Sequence, residues 1–145
     1  MKQDYAQDNV YWLLIQIAFR VKHGLILLAE KHDLTAPQLH TLGIMKPGEA
    51  IPMNTISCIL QCDASNVTGI VDRLLMHGYI ERTENPKDRR VKMISLTPAG
   101  EELRKTLFDE MADYELPEFK QLAEEQRAEL KTILSQIMNA SQPQK

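Results

Sequence analysis

The sequence predicts a mainly α-helical chain that carries one small β-hairpin. Three observations predict it. Apolar residues recur at helical spacing near both ends of the chain. The spacing gives way to short extended segments only between Tyr79 and Leu96. Proline, glycine and capping residues stand where helices must start and stop.

From Val10 the positions Leu13, Leu14, Ile17, Ala18, Val21, Leu25 and Leu28 form one broad apolar stripe, which predicts a long first helix over residues 8–31. After a break at Asp33 and Leu34, Thr35 with Gln38 three residues on makes a capping box that opens a second helix. The two prolines and the glycine of "KPGEAIP", residues 46–52, predict a loop. A short helix through Ile56, Ile59 and Leu60 follows and ends near Gln61.

Asp63 is the N-cap of the next helix, where a carboxylate also suits the positive end of the helix dipole. Gly78 stops that helix after His77. Its apolar residues Val67, Ile70, Val71, Leu74 and Leu75 share one face, so Ser65, Gly69, Asp72, Arg73 and Met76 fall on the opposite one. "YIERTE" and "VKMISL" read as two strands joined by the six residues Asn85 to Arg90, with Asn-Pro starting the turn. Thr97 and Pro98, as N-cap and first helical residue, open another long helix, which Pro117 is expected to break. Leu130, Ile133, Leu134, Ile137 and Met138 form the stripe of a last helix, and the polar tail "NASQPQK" is expected to fray.

At 145 residues and 43% hydrophobic, the chain fits one globular domain or a domain with a helical extension, and a separate catalytic domain is not expected. It has no Gly-rich phosphate loop, no G-x-S-x-G elbow and no H-E-x-x-H, so neither an enzyme nor a cofactor is expected. The start carries no signal-peptide pattern, and the uninterrupted apolar runs are shorter than the roughly 18 residues of a membrane span. The expectation is a soluble cytoplasmic protein without a membrane partner. Cys58 and Cys62 do not make a secreted disulfide framework. They are too few for a metal site unless His40 or His77 converges on them, and no metal is expected.

Net charge is −3, which argues against a polyanionic partner only if charge is evenly spread. Between Asp63 and Lys92 six cations face five acids, so this segment carries +1 and the rest of the chain −4. Two short helices followed by a hairpin with a charged tip make a winged helix-turn-helix, whose second helix enters the DNA major groove. The helix from Asp63 is the candidate. Ser65, Asn66 and Thr68 can meet phosphates or base edges, and Arg73 a phosphate. Gly69 costs about 1 kcal/mol relative to alanine inside a helix, and close approach of backbone to DNA would account for it. The same residues also fit a plain solvated helix face.

The run "SNVTGIVDRLLMHGYIERTENPKDRRVKMISLTPAG", residues 65–100, resembles the recognition helix and wing of the MarR family of bacterial transcription regulators. The matching features are S-x-V-T, D-R-L before a glycine and an E-R strand, the D-R-R wing tip, and S-L-T-x-x-G. The resemblance implies a homodimer with interlocking terminal helices, each subunit placing a recognition helix in the major groove and a wing arginine in the minor groove of a pseudo-palindromic operator. The D-x-R of the wing tip falls on Asp88 and Arg90, making Arg90 the minor-groove arginine and Lys87 and Arg89 its phosphate neighbours. A narrow minor groove has an enhanced negative potential that a guanidinium on a thin hairpin can enter. Asp88, beside Arg90 or facing Arg73, would hold the arginine extended.

The domain reading is an N-terminal dimerisation helix over 1–34, a DNA-binding lobe over 35–97 and C-terminal dimerisation helices over 98–145. The resemblance further implies a repressor released by a small amphipathic effector or by cysteine oxidation. Tyr11, Trp12, Arg20, His23 and His40 are the candidate effector ligands, though such residues at helical spacing equally fit core or surface. Cys58 and Cys62 are candidate redox residues, with buried structural cysteines as the alternative. Where many relatives carry a cation, Gly69 stands, which shifts base reading toward Asn66, Thr68 and the wing. The rival function is a winged-helix protein-interaction module that binds no DNA.

Overall fold

The computed structural model describes residues 9–140. These fall into two compact units, one ending at Tyr114 and the other beginning at Glu115.

In the first unit, helix α1 spans Val10–Lys31 and starts where the Asn9 side chain accepts the Trp12 N–H at 3.2 Å. The earlier start expected at residue 8 lies outside the described residues. The helix ends because Asp33 takes a left-handed conformation, φ 55°, which turns the Leu34 N–H back onto the Ala29 carbonyl. Helix α2, Ala36–Ile44, opens on the expected capping box, with Gln38 Oε1 accepting the Thr35 N–H at 2.8 Å. Helix α3, Met53–Leu60, closes on left-handed Gln61, and α4, Ala64–Met76, follows after Asp63.

Strands β2, Ile80–Asn85, and β3, Asp88–Leu96, form the antiparallel hairpin, and a short strand β1, Ile51–Pro52, joins it in the order β1-β3-β2. Two corrections to the sequence reading belong here. Residues 51–52 were expected in a loop, yet Ile51 pairs with Ile94 and Pro52 with Met93. Proline cannot donate to a ladder, so a two-residue edge strand containing one is indistinguishable from loop in sequence. The connection expected at six residues is only Pro86-Lys87, because Asn85 and Asp88 are already paired.

Helix α5, Pro98–Met111, begins as expected, Thr97 Oγ1 accepting the Gly100 N–H. It passes into a 3-10 turn, Ala112–Tyr114. Pro117 therefore does not break it. Proline instead takes the first position of the short helix α6, Pro117–Lys120, where its missing N–H costs nothing. The second unit continues with α7, Glu124–Ala140. Asn139 and Ala140, expected to fray, are helical, and the rest of that tail lies outside the described residues.

The core of the first unit gathers Leu28 of α1, Leu39 and Leu42 of α2, Ile56 of α3, Val67, Val71 and Leu74 of α4, Ile94 of β3 and Leu107 of α5. Buried Thr41 is satisfied by donating to the Pro37 carbonyl. Glu110 of α5 receives His32 Nε2 at 2.8 Å and Lys31 Nζ at 3.0 Å, tying the end of α1 to α5. These donors, His32 first and then Lys31, hold the Glu110 carboxyl below its ordinary range.

Outside this core α1 is bare. Of its stripe only Leu28 is buried and Leu25 half-buried, while Leu13, Leu14, Ile17 and Val21 are exposed, as are Val10, Tyr11 and Phe19 at 68–72%. By length and composition α1 would suffice to cross a membrane. The uninterrupted apolar runs are short, as expected, and Gln16, Arg20, Lys22 and His23 interrupt them without interrupting the helix.

Candidate nucleic-acid interface

The Asp63 side chain accepts the Asn66 N–H at 2.9 Å and the Ser65 hydroxyl at 2.8 Å. The backbone bond first, and the hydroxyl second, hold its carboxyl below the ordinary aspartate range. The outward face of α4 is then as the periodicity predicts. Ser65, Asn66, Thr68, Gly69, Asp72, Arg73 and Met76 are exposed, while Val67, Val71 and Leu74 are buried. Gly78, φ 73°, turns the chain into the hairpin.

At the wing tip, Asn85 Oδ1 accepts the Lys87 N–H at 2.9 Å and Asp88 Oδ1 accepts the Arg90 N–H at 3.0 Å. Both side chains replace a ladder partner across the turn. Asp88 thus bonds the backbone of Arg90, and among the described residues it enters no ion pair with the Arg90 guanidinium or with Arg73. Next to the tip the register slips. Glu84 pairs with Lys92 but Asn85 with Asp88, so Arg89, Arg90 and Val91 are extra residues on β3. A bulge of this kind re-aims side chains away from the plain alternation of a strand.

Ion pairs sort the cations of this segment into two sets. Lys92 binds Glu84 at 2.9 Å, and Arg82 of β2 reaches Asp72 of α4 at 3.6 Å. Among the described residues, Arg73, Lys87, Arg89 and Arg90 enter no ion pair. Along the hairpin strands Arg82 and Lys92 are paired, while the tip cations and Arg73 on α4 are not. The Asp72–Arg82 contact, which links α4 to the wing, was missed in the sequence; its only trace there is the D-R-L and E-R pair of motifs flanking Gly78.

A crevice of about 510 Å³ opens beside this face, lined by Lys22 and Leu25 of α1, His40 of α2, Cys62, and Asn66 and Ile70 of α4, among others. Of the five candidate effector ligands only His40 lines it. Tyr11, Trp12, Arg20 and His23 are exposed positions of α1 that do not line it. Leu25 carried no sequence signal beyond the helical stripe, and Lys22 none at all. Cys58 is exposed on α3, and Cys62 is half-buried; both are free thiols. The described residues contain no group of three or more metal-ligating side chains.

The sequence pattern that defines the MarR family matches residues 34–92. The multiple antibiotic resistance protein MarR of Salmonella typhimurium is 37% identical over 68 residues, 47% of each chain. The HTH-type transcriptional repressor MdtR of Bacillus subtilis is 33% identical over 98 residues, 68% of this chain and 63% of that protein. The match thus spans less than two thirds of either curated relative. The crystal structure of an S. aureus MepR–DNA complex superposes with a TM-score of 0.67 at 27% identity, covering 91% of this chain and 98% of that one. The family match lies over the segment that builds α4 and most of the wing, and the likeness to MepR runs through nearly all the rest: residues 34–92 carry the MarR-family pattern, and the chain is similar to MepR over 91% of its length.

Proposed function

We propose that the chain is a homodimeric, sequence-specific DNA-binding repressor of transcription, soluble in the cytoplasm, with α4 in the major groove and Arg90 in the adjacent minor groove. The observation that carries this is that, of the six cations between Asp63 and Lys92, the four that enter no ion pair, Arg73, Lys87, Arg89 and Arg90, sit on one helix and one hairpin tip of a chain whose net charge is −3. Local potential, not net charge, governs approach to a polyanion. MepR, a relative over nearly its whole length, is seen on DNA, and MdtR is named a repressor.

On this reading residues 35–97 form the DNA-binding lobe, and 1–34 and 98–145 serve dimerisation. The exposed apolar stripe of α1, and that of α7 at Ile133, Leu134 and Met138, are then covered by the second copy. A contiguous apolar surface of this kind marks an interface in a soluble protein. A small amphipathic effector would occupy the crevice at His40, Cys62 and Asn66, where it touches the reading helix itself. Oxidation at Cys58 or Cys62 would act at the same junction.

A palindromic duplex with half-sites about one helical turn apart tests the reading. Binding should fall with salt at a log–log slope near −0.9 per neutralised phosphate, and Arg90→Glu should both weaken binding and flatten the slope. A chain that holds a protein partner through α4 and the wing, but no duplex at any ionic strength, would be an interaction module instead.

A further inference from the structure

The hydroxyls offered by α4 are committed to their own helix. Thr68 Oγ1 donates to the Ala64 carbonyl at 2.9 Å, and Ser65 Oγ donates to Asp63. Asn66 lines the crevice beside α1 and α2. With its hydroxyl bonded back to Ala64, the other end of the exposed Thr68 side chain is a methyl group. Gly69 next to it has nothing within 4 Å of where a Cβ would stand, so no packing within the chain requires a glycine there. The middle of the outward face is therefore a methyl group beside bare backbone, a small apolar notch, with unpaired Arg73 one turn further on.

Hydrogen-bond donors read guanine and acceptors read the amino groups of cytosine and adenine, whereas the mark of thymine in the major groove is its 5-methyl group, which is met by apolar contact. Resting on the DNA-binding reading above, we infer that Thr68 and Gly69 form a thymine-methyl reader: the notch accepts the 5-methyl of one thymine in each half-site, and this helix reads by shape where its hydroxyls donate nothing. A committed hydroxyl can still accept a hydrogen bond, so the test must separate methyl from hydroxyl.

Each thymine of a selected operator is replaced in turn by deoxyuridine, which removes only the methyl group. One position per half-site should weaken wild-type binding roughly fourfold, the effect of withdrawing one methyl from an apolar contact. Thr68→Val, which keeps the methyl and loses the hydroxyl, should retain that sensitivity. Thr68→Ser, which keeps the hydroxyl, should abolish it. Gly69→Ala should raise the thermal midpoint by about 2–4 °C while weakening the operator complex, opposite signs that an idle surface glycine would not give.

The inference is overturned if no deoxyuridine matters, if Thr68→Ser keeps the sensitivity and Thr68→Val loses it, or if Gly69→Ala binds unchanged. In those cases duplex binding itself survives. A wild-type chain that binds no duplex at all removes the DNA-binding reading and this inference together.

Discussion

Gly100 sits in the first turn of α5, where alanine would ordinarily be the better helix former. Here it is not. A Cβ at this buried position would run into the carbonyl oxygen of Tyr79, and that carbonyl is held in place by the Thr97 N–H at 3.0 Å. The S-L-T-x-x-G motif is thus a packing motif: threonine caps the helix and reaches the Gly78 carbonyl at 2.6 Å, and glycine lets the β2 entry lie against α5. Gly100→Ala should destabilise the fold by ~1–3 kcal/mol or more, read as a lowered denaturation midpoint, whereas Gly69→Ala should not. A second residue, Asp88, separates charge from geometry. Asp88→Ala removes the acceptor for the Arg90 N–H and should weaken operator binding about fivefold, the worth of one hydrogen bond. Asp88→Asn keeps an acceptor and removes a negative charge from beside DNA, so its affinity should equal or exceed the wild type. Equal losses in both variants would show the carboxylate itself to be needed.

At the scale of the element, α4 depends on its cap. The Asp63 carboxyl is held below its ordinary range by the Asn66 N–H and then the Ser65 hydroxyl. A group whose folded pKa is depressed contributes stability above its unfolded pKa and loses it as pH falls through the folded value. The wild type should therefore lose stability as acid protonates Asp63, below the usual aspartate range. Asp63→Asn, a cap that does not titrate there, should show a shallower acid limb in circular dichroism. Parallel acid limbs in the two proteins would mean the cap contributes nothing in the folded chain. The wing depends on its bulge. Arg89 and Arg90 sit in the three-residue slip opposite the Glu84–Asn85 step, so their directions do not follow strand alternation and could not be read from "DRRVK" alone.

For the whole molecule, the bare stripe of α1 is the largest unmet demand. Its exposed residues Leu13, Leu14, Ile17 and Val21 lie outside the core of the first unit, and a second copy of the chain is the cover proposed for them. If so, folding and association are linked, and the thermal midpoint should climb as protein concentration rises. Ile17→Asp should weaken dimerisation by at least about tenfold, because each Ile in an apolar contact is worth ~1.5–3 kcal/mol. Analytical ultracentrifugation would reveal the shift. A wild-type chain that sediments as a monomer with a concentration-independent midpoint would leave the stripe to another partner.

The sequence by itself determined the order of the elements and the two faces of α4, because caps, breaks and helical periodicity act over four or five residues. Thr35 with Gln38, Asp63, Gly78 and Thr97-Pro98 each mark a boundary by local bonding that needs no distant neighbour. Tertiary structure alone decided which cations are free. Arg82 finds Asp72 ten residues away and Lys92 finds Glu84 across a ladder, leaving Arg73, Lys87, Arg89 and Arg90 as the cations of residues 63–92 without an ion pair. It also decided the pairing of Ile51-Pro52 with β3 and the meeting of His40, Cys62 and Asn66 at one crevice. Such contacts join residues far apart along the chain, and no local pattern encodes a neighbour that only folding brings near.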